Sequence, residues 1–182
     1  LGCPRTVENQ RAMGDLGKPD GIPQLSLTGM LHLGTGLPWD FRVGPGTDSD
    51  RSHLREMLDD LPDGSLLVAD AGFVGYDLWK TALDAGHQLL VRVGSNVKLL
   101  KKLGYARERD GLVYLWPDRA AKKRLPPLVL RLVVVTSTER GPIYLVTSVM
   151  SREALSDAQM AAVYRKRWGI EVYYRHCKQT FE

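Results

Sequence analysis

Cysteine and histidine are scarce in this 182-residue chain, and each shortage closes off a class of protein. The two cysteines, Cys3 and Cys177, form no Cys-x-x-Cys pair. Neither a disulfide framework nor a zinc site is therefore indicated. The four histidines, His32, His53, His87 and His176, share no ligand spacing and read as structural or surface residues. No apolar run approaches the ~18 residues of a membrane helix. The opening LGCPRTVENQ lacks the apolar centre of a signal peptide, so a soluble cytoplasmic protein is expected. Repeats and low-complexity segments are absent as well. What is present is a chain with 43% hydrophobic residues, enough for one sizeable core with an inserted lobe.

Charge is unevenly spread. The formal net charge is +4, but residues 98 to 131 hold ten Lys or Arg against three acids, and residues 160 to 182 hold five against two. The remainder is therefore acidic. Two concentrated basic regions suit a polyanionic partner, because each neutralised phosphate releases counterions. Solvated loops and helix faces would produce the same composition in KLLKKLGYARER and DRAAKKRL.

Hydrophobic patterning outlines an α/β chain. QLSLTGMLHL (24 to 33) and LPWDFRV (37 to 43) read as an antiparallel hairpin around GTG, a turn with no helix after it and hence no nucleotide-binding loop. A helix is expected from about Arg51 to Leu61, with Asp48 or Asp50 as its N-cap. SLLVAD (65 to 70), YDLWKTALDAG (76 to 86) and HQLLVRV (87 to 93) read as strand, helix and strand, which implies a parallel crossover. GLVYLW, LPPLVLRLVVVTST and GPIYLVTSV then form a β-rich stretch, and a helix opens near Ser156 with SDAQM at its start.

The strongest pattern lies in YRKRWGIEVYYRHCK. Tyr164, Arg167, Glu171 and Lys178 follow the spacing Tyr-x2-Arg-x3-Glu-x6-Lys. On a continuous helix they fall at about 0°, 300°, 340° and 320°, one narrow stripe. A carboxylate flanked by cations and a phenol is suited to phosphate chemistry, since the cations hold phosphate oxygens and the carboxylate a divalent ion. An Arg and a Glu four apart are, by themselves, more often a solvated ion pair. In the same way, an Asp at the end of LLVAD can simply cap the next turn.

Together, however, these segments resemble the DDE transposases of bacterial insertion sequences, in the subgroup marked by that Tyr, Arg, Glu and Lys. LLVADAGFVGYDLW (66 to 79) resembles the segment around the second catalytic Asp, here Asp70, and Glu171 stands where the last catalytic carboxylate is expected. The resemblance implies a ribonuclease H-like core, a mixed sheet with flanking helices, over residues 1–93 and 150–182. A basic, β-rich subdomain would be inserted at 94–149. It further implies Asp70 and Glu171 as catalytic ligands of two Mg²⁺ or Mn²⁺ ions. DNA contacts would come from Tyr164, Arg167, Trp168 and Lys178, together with Lys98, Lys101, Lys102, Lys122, Lys123 and Arg124. Transposon-end and target duplexes, a homodimer in the active complex and a nucleoid-associated location follow from the same resemblance. The first Asp of the triad is missing from residues 1 to 23, so it is expected immediately upstream of Leu1, in a fragment cut at both ends. A non-catalytic DNA-binding remnant and a structure-selective nuclease of the same fold are the alternative readings.

Overall fold

The computed structural model describes residues 2–14, 21–94, 106–118, 121, 124–136 and 141–181, with the backbone alone at 178 and 181. The chain divides into two compact units, Leu1–Asp60 with Arg167–Glu182, and Leu61–Lys166.

In the first unit, helix α1 (Val7–Met13) is N-capped by Thr6, whose hydroxyl accepts from Asn9 N–H. Strands β1 (Leu25–His32) and β2 (Leu37–Pro45) form the expected antiparallel hairpin, with a register shift between Met30 and Leu31. Helix α2 (Asp50–Met57) follows, and its cap differs from the sequence expectation: Ser49, not an aspartate, accepts from Ser52 N–H. Both aspartates are engaged sideways. Asp48 lies 3.4 Å from Nε2 of buried His53, and Asp50 accepts the Thr28 hydroxyl at 2.7 Å. Tying α2 to β1 has taken precedence over capping. The long C-terminal helix also packs on β1. There the Gly29 N–H donates to the Tyr174 hydroxyl at 2.7 Å, and the Tyr173 ring lies close by.

The second unit is built on a six-stranded mixed sheet. Strands β3 (Leu66–Ala69) and β4 (Gln88–Val93) are parallel, joined through α3 (Tyr76–Asp84). The remaining strands are β5 (Ala106–Arg109), β6 (Leu112–Leu115), β7 (Leu128–Val135) and β8 (Ile143–Thr147), all paired antiparallel. The spatial order is β3-β4-β8-β7-β6-β5. β4 lies inside the sheet, with Leu89, Leu90, Val91 and Val93 buried, whereas the edge strand β5 buries only Ala106 and exposes its other three residues. The sheet runs on past position 94, since β4 pairs directly with β8. The ARER segment, part of a stretch that could equally have been a solvated loop, is a strand here. Asp110 and Gly111, at φ of 53° and 75°, turn it into β6.

Helix α4 (Asp157–Lys166) covers this sheet, burying Met160 and Tyr164 against Leu90, Val133, Leu145 and Leu155. Helix α5 (Trp168–Phe181) begins after a break at Arg167, where Ile170 N–H bonds back to the Arg167 carbonyl in a three-residue turn. Gly169 weakens continuation at this point, since glycine costs about 1 kcal/mol within a helix. The expected single stripe is thus shared between two helices.

Candidate active site

Asp70 stands immediately after β3, where the apolar strand ends and the chain turns into the short 3₁₀ segment Ala71–Phe73. Its backbone is extended, and Oδ1 accepts from Gly72 N–H at 2.9 Å. The carboxylate is therefore a cap whatever else it does. Gly72 leaves room for that contact, since a Cβ there would lie 3.0 Å from Asp70 Oδ1. Behind the turn, buried Trp79 of α3 donates its indole N–H to the Phe73 carbonyl at 2.8 Å and holds the loop's far end.

Arg167 and Glu171 meet in the first unit. Arg167 Nη2 donates to Glu171 Oε1 at 2.6 Å, with side-chain exposures of 17% for the arginine and 40% for the carboxylate. A charge-assisted contact this short, with the guanidinium mostly shielded, is better held than a typical solvated i,i+4 pair. Trp168, next to it, is exposed. Lys178 lies on α5. Tyr164 belongs to α4 in the second unit and is 8% exposed, within that unit's apolar core. Three residues on from Glu171 along α5, and so on the same side of the helix, burial holds the Tyr174 proton more tightly than usual, partly offset by the Gly29 N–H. Tyr173 is shifted the same way, first by its hydrogen bond with Cys177 and then by burial.

Of the basic residues expected to contact DNA, Lys98, Lys101, Lys102, Lys122 and Lys123 lie outside the described residues. Arg124 is exposed, in the turn between β6 and β7. One cation of the basic stretch behaves differently. Arg131, on β7, is 4% exposed and faces α4, so it cannot reach a polyanion. Its only sequence signal is position: a single charge within the apolar run LVLRLVVV. His53, read from the sequence as structural or surface, is buried, and its Nδ1 lies 2.9 Å from the Thr28 hydroxyl. Thr28 gives its proton to Asp50, so it accepts from His53. This network joins β1 to α2.

A family model described as Transposase DDE domain matches residues 3–182. The chain belongs to the DDE transposase family. Two curated relatives agree. Transposase InsG for insertion sequence element IS4, from Escherichia coli strain K12, is 27% identical over 189 aligned residues, covering 98% of this chain and 42% of that protein. A putative transposase for insertion sequence element IS4SA, from Synechocystis, is 24% identical over 163 residues, covering 87% of this chain and 44% of its own length. The chain spans less than half the length of either relative. No solved structure matches significantly. Among the described residues, no group of three or more His, Cys, Asp or Glu could hold a metal ion, and no helix is long and apolar enough to cross a membrane.

Proposed function

We propose that this chain is the catalytic portion of a DNA transposase of the Tyr-Arg-Glu-Lys subgroup, with a ribonuclease H-like core and a basic inserted segment. The family match over residues 3–182 carries this reading. Asp70 and Glu171 are its metal-binding carboxylates. Their donor chemistry fits Mg²⁺ or Mn²⁺, since hard oxygen ligands suit these ions, and each residue stands at the end or start of a regular element that fixes its backbone. Two divalent ions, if held there, would supply Lewis-acid activation of water or a 3′-hydroxyl and stabilise the leaving oxygen.

The protein's own residues orient the DNA. Arg167 is held by Glu171 at 2.6 Å, which fixes the guanidinium for one phosphate while restraining the carboxylate. Lys178 supplies a second cation and Trp168 offers an exposed ring to the duplex, while Tyr164 is buried in the apolar core of its own unit. The basic residues from Lys98 to Arg124 add sequence-independent affinity for transposon-end and target duplexes. The working complex is a homodimer, associated with the nucleoid.

Manganese titration followed by water-proton relaxation tests the ligand assignment. Wild-type protein should bind Mn²⁺ weakly, and Asp70→Asn or Glu171→Gln should each weaken binding further, because loss of one hard ligand from a sparse set is felt directly. Binding unchanged in both variants would leave a DNA-binding remnant as the reading.

A further inference from the structure

Arg92 is the one charge in the strand QLLVRV, and the proposed mechanism gives it no part. Leu90, Val91 and Val93 around it are buried, whereas Arg92 itself is exposed. A strand inside a sheet is ordinarily an apolar run, so the one position where β4 carries a charge is one where the sheet meets solvent.

The strand register says what stands beside it. β3 and β4 run parallel, with Val68 opposite Leu90 and Ala69 opposite Val91. One step further, the same register sets Asp70 opposite Arg92. Asp70 continues the strand, because its backbone is still extended. The faces agree as well. Leu90 belongs to the apolar cluster with Met160 and Tyr164 of α4, and Val68 packs against that cluster, so Asp70 and Arg92, each two residues on, share its face. From the other side, β8 sets Leu145 of the same cluster opposite Arg92. Neighbouring strands lie about 4.8 Å apart, so a carboxylate and a guanidinium leave the sheet side by side. They do so at the carboxyl ends of two parallel strands, where open α/β sheets receive their ligands. Both residues lie within the second unit, Leu61–Lys166.

A carboxylate alone repels a polyanion. A guanidinium next to it offsets that charge, and its planar fork of N–H donors matches two oxygens of one phosphate. We infer that Arg92 is a phosphate-binding residue, which takes a DNA backbone phosphate at the site marked by Asp70. The inference rests on the reading of Asp70 as a metal-binding carboxylate, and it adds to that site a cation contributed by the second unit itself.

The experiment measures binding of a short DNA duplex across a salt series, in EDTA, for wild type, Arg92→Gln, Arg92→Lys and Lys80→Gln. All are compared at equal folded fraction, checked by thermal melting. Lys80 serves as the control because it is also an exposed cation of the second unit, but one already held by Asp84 at 2.7 Å. Arg92→Gln should weaken binding at low salt and lower the slope of log K against log salt by about 0.9, the share of one duplex phosphate. Arg92→Lys should keep the slope and lose part of the affinity, since the charge remains and the fork does not. Lys80→Gln should keep both. Mn²⁺ titration of Arg92→Gln without DNA should show binding unchanged or tighter, because removing a neighbouring positive charge cannot weaken a cation site. A wild-type slope in Arg92→Gln, or an equal drop in Lys80→Gln, would overturn the inference. Weaker Mn²⁺ binding in Arg92→Gln would overturn it too, by making Arg92 a support for Asp70 instead of a contact for DNA. Failure of the underlying reading shows elsewhere, as Mn²⁺ binding that Asp70→Asn leaves unchanged, whatever the slopes in EDTA.

Discussion

At the scale of single residues, Asp70 Oδ1 caps the turn at Gly72 N–H, and under the proposed function its charge would also serve a divalent ion. Asparagine keeps an acceptor oxygen at that position but not the charge, whereas alanine removes both. Asp70→Ala should therefore lower unfolding stability by about 1 kcal/mol, the usual cost of a lost cap. Asp70→Asn should stay within about 0.5 kcal/mol of wild type while still weakening Mn²⁺. Denaturant unfolding curves for the pair check this. An equal loss of stability in both variants would mean that the carboxylate charge, not the cap, stabilises the turn. The Arg42 cluster shows the contrasting case of charges with only a local role. Hydrogen bonds to Asp40 and then Asp60 raise its affinity for its proton, but these groups stand at the surface and contribute little to stability.

At the scale of elements, the tight β5–β6 turn has a backbone conformation that few residues adopt. Asp110 and Gly111 both take positive φ, which matches the right-handed twist of the paired strands. Gly111→Ala should cost roughly 1 kcal/mol by forcing a Cβ into the left-handed region, although open space surrounds the position. Gly141→Ala, in open space and without a positive φ, should be neutral or slightly stabilising through the unfolded state. Equal effects on the unfolding midpoint would contradict the turn assignment. The α4–α5 break belongs to this scale too. Helical periodicity aligns Tyr164 with Arg167, Glu171 and Lys178 only if one helix runs through all four, and the three-residue turn at Arg167 interrupts it. Tyr164 consequently packs in the core of its own unit, while Arg167 and Glu171 pair in the other.

At the scale of the whole molecule, a net charge of +4 with the excess gathered in two basic regions sets the expected response to salt. If those regions track a duplex, affinity should fall steeply between low and physiological ionic strength, with about 0.9 added to the slope per phosphate neutralised. A flat salt dependence in an electrophoretic or fluorescence binding assay would return the basic segments to solvated surface. The acidic remainder and the burial of Arg131 imply that fewer cations contribute than composition suggests.

Much of this was written locally. The hairpin, the β3–α3–β4 unit, the β6, β7 and β8 strands and the start of α4 were legible because hydrophobic period, glycine and proline positions and cap residues act over a few residues. The carboxylate at a strand end and the spacing of the signature were legible for the same reason, and they led to the family that the comparisons support. Other features needed long-range contacts. Ser49 caps α2 because Asp48 and Asp50 are drawn to His53 and to Thr28, 22 or more residues away for the threonine pairs. Continuation of one sheet from β4 into β8 joins strands whose partners are more than fifty residues apart. Arg131 counts among the surface cations in any sequence tally, and only the packing of α4 on β7 turns it inward, where a charge can act solely through the groups it holds.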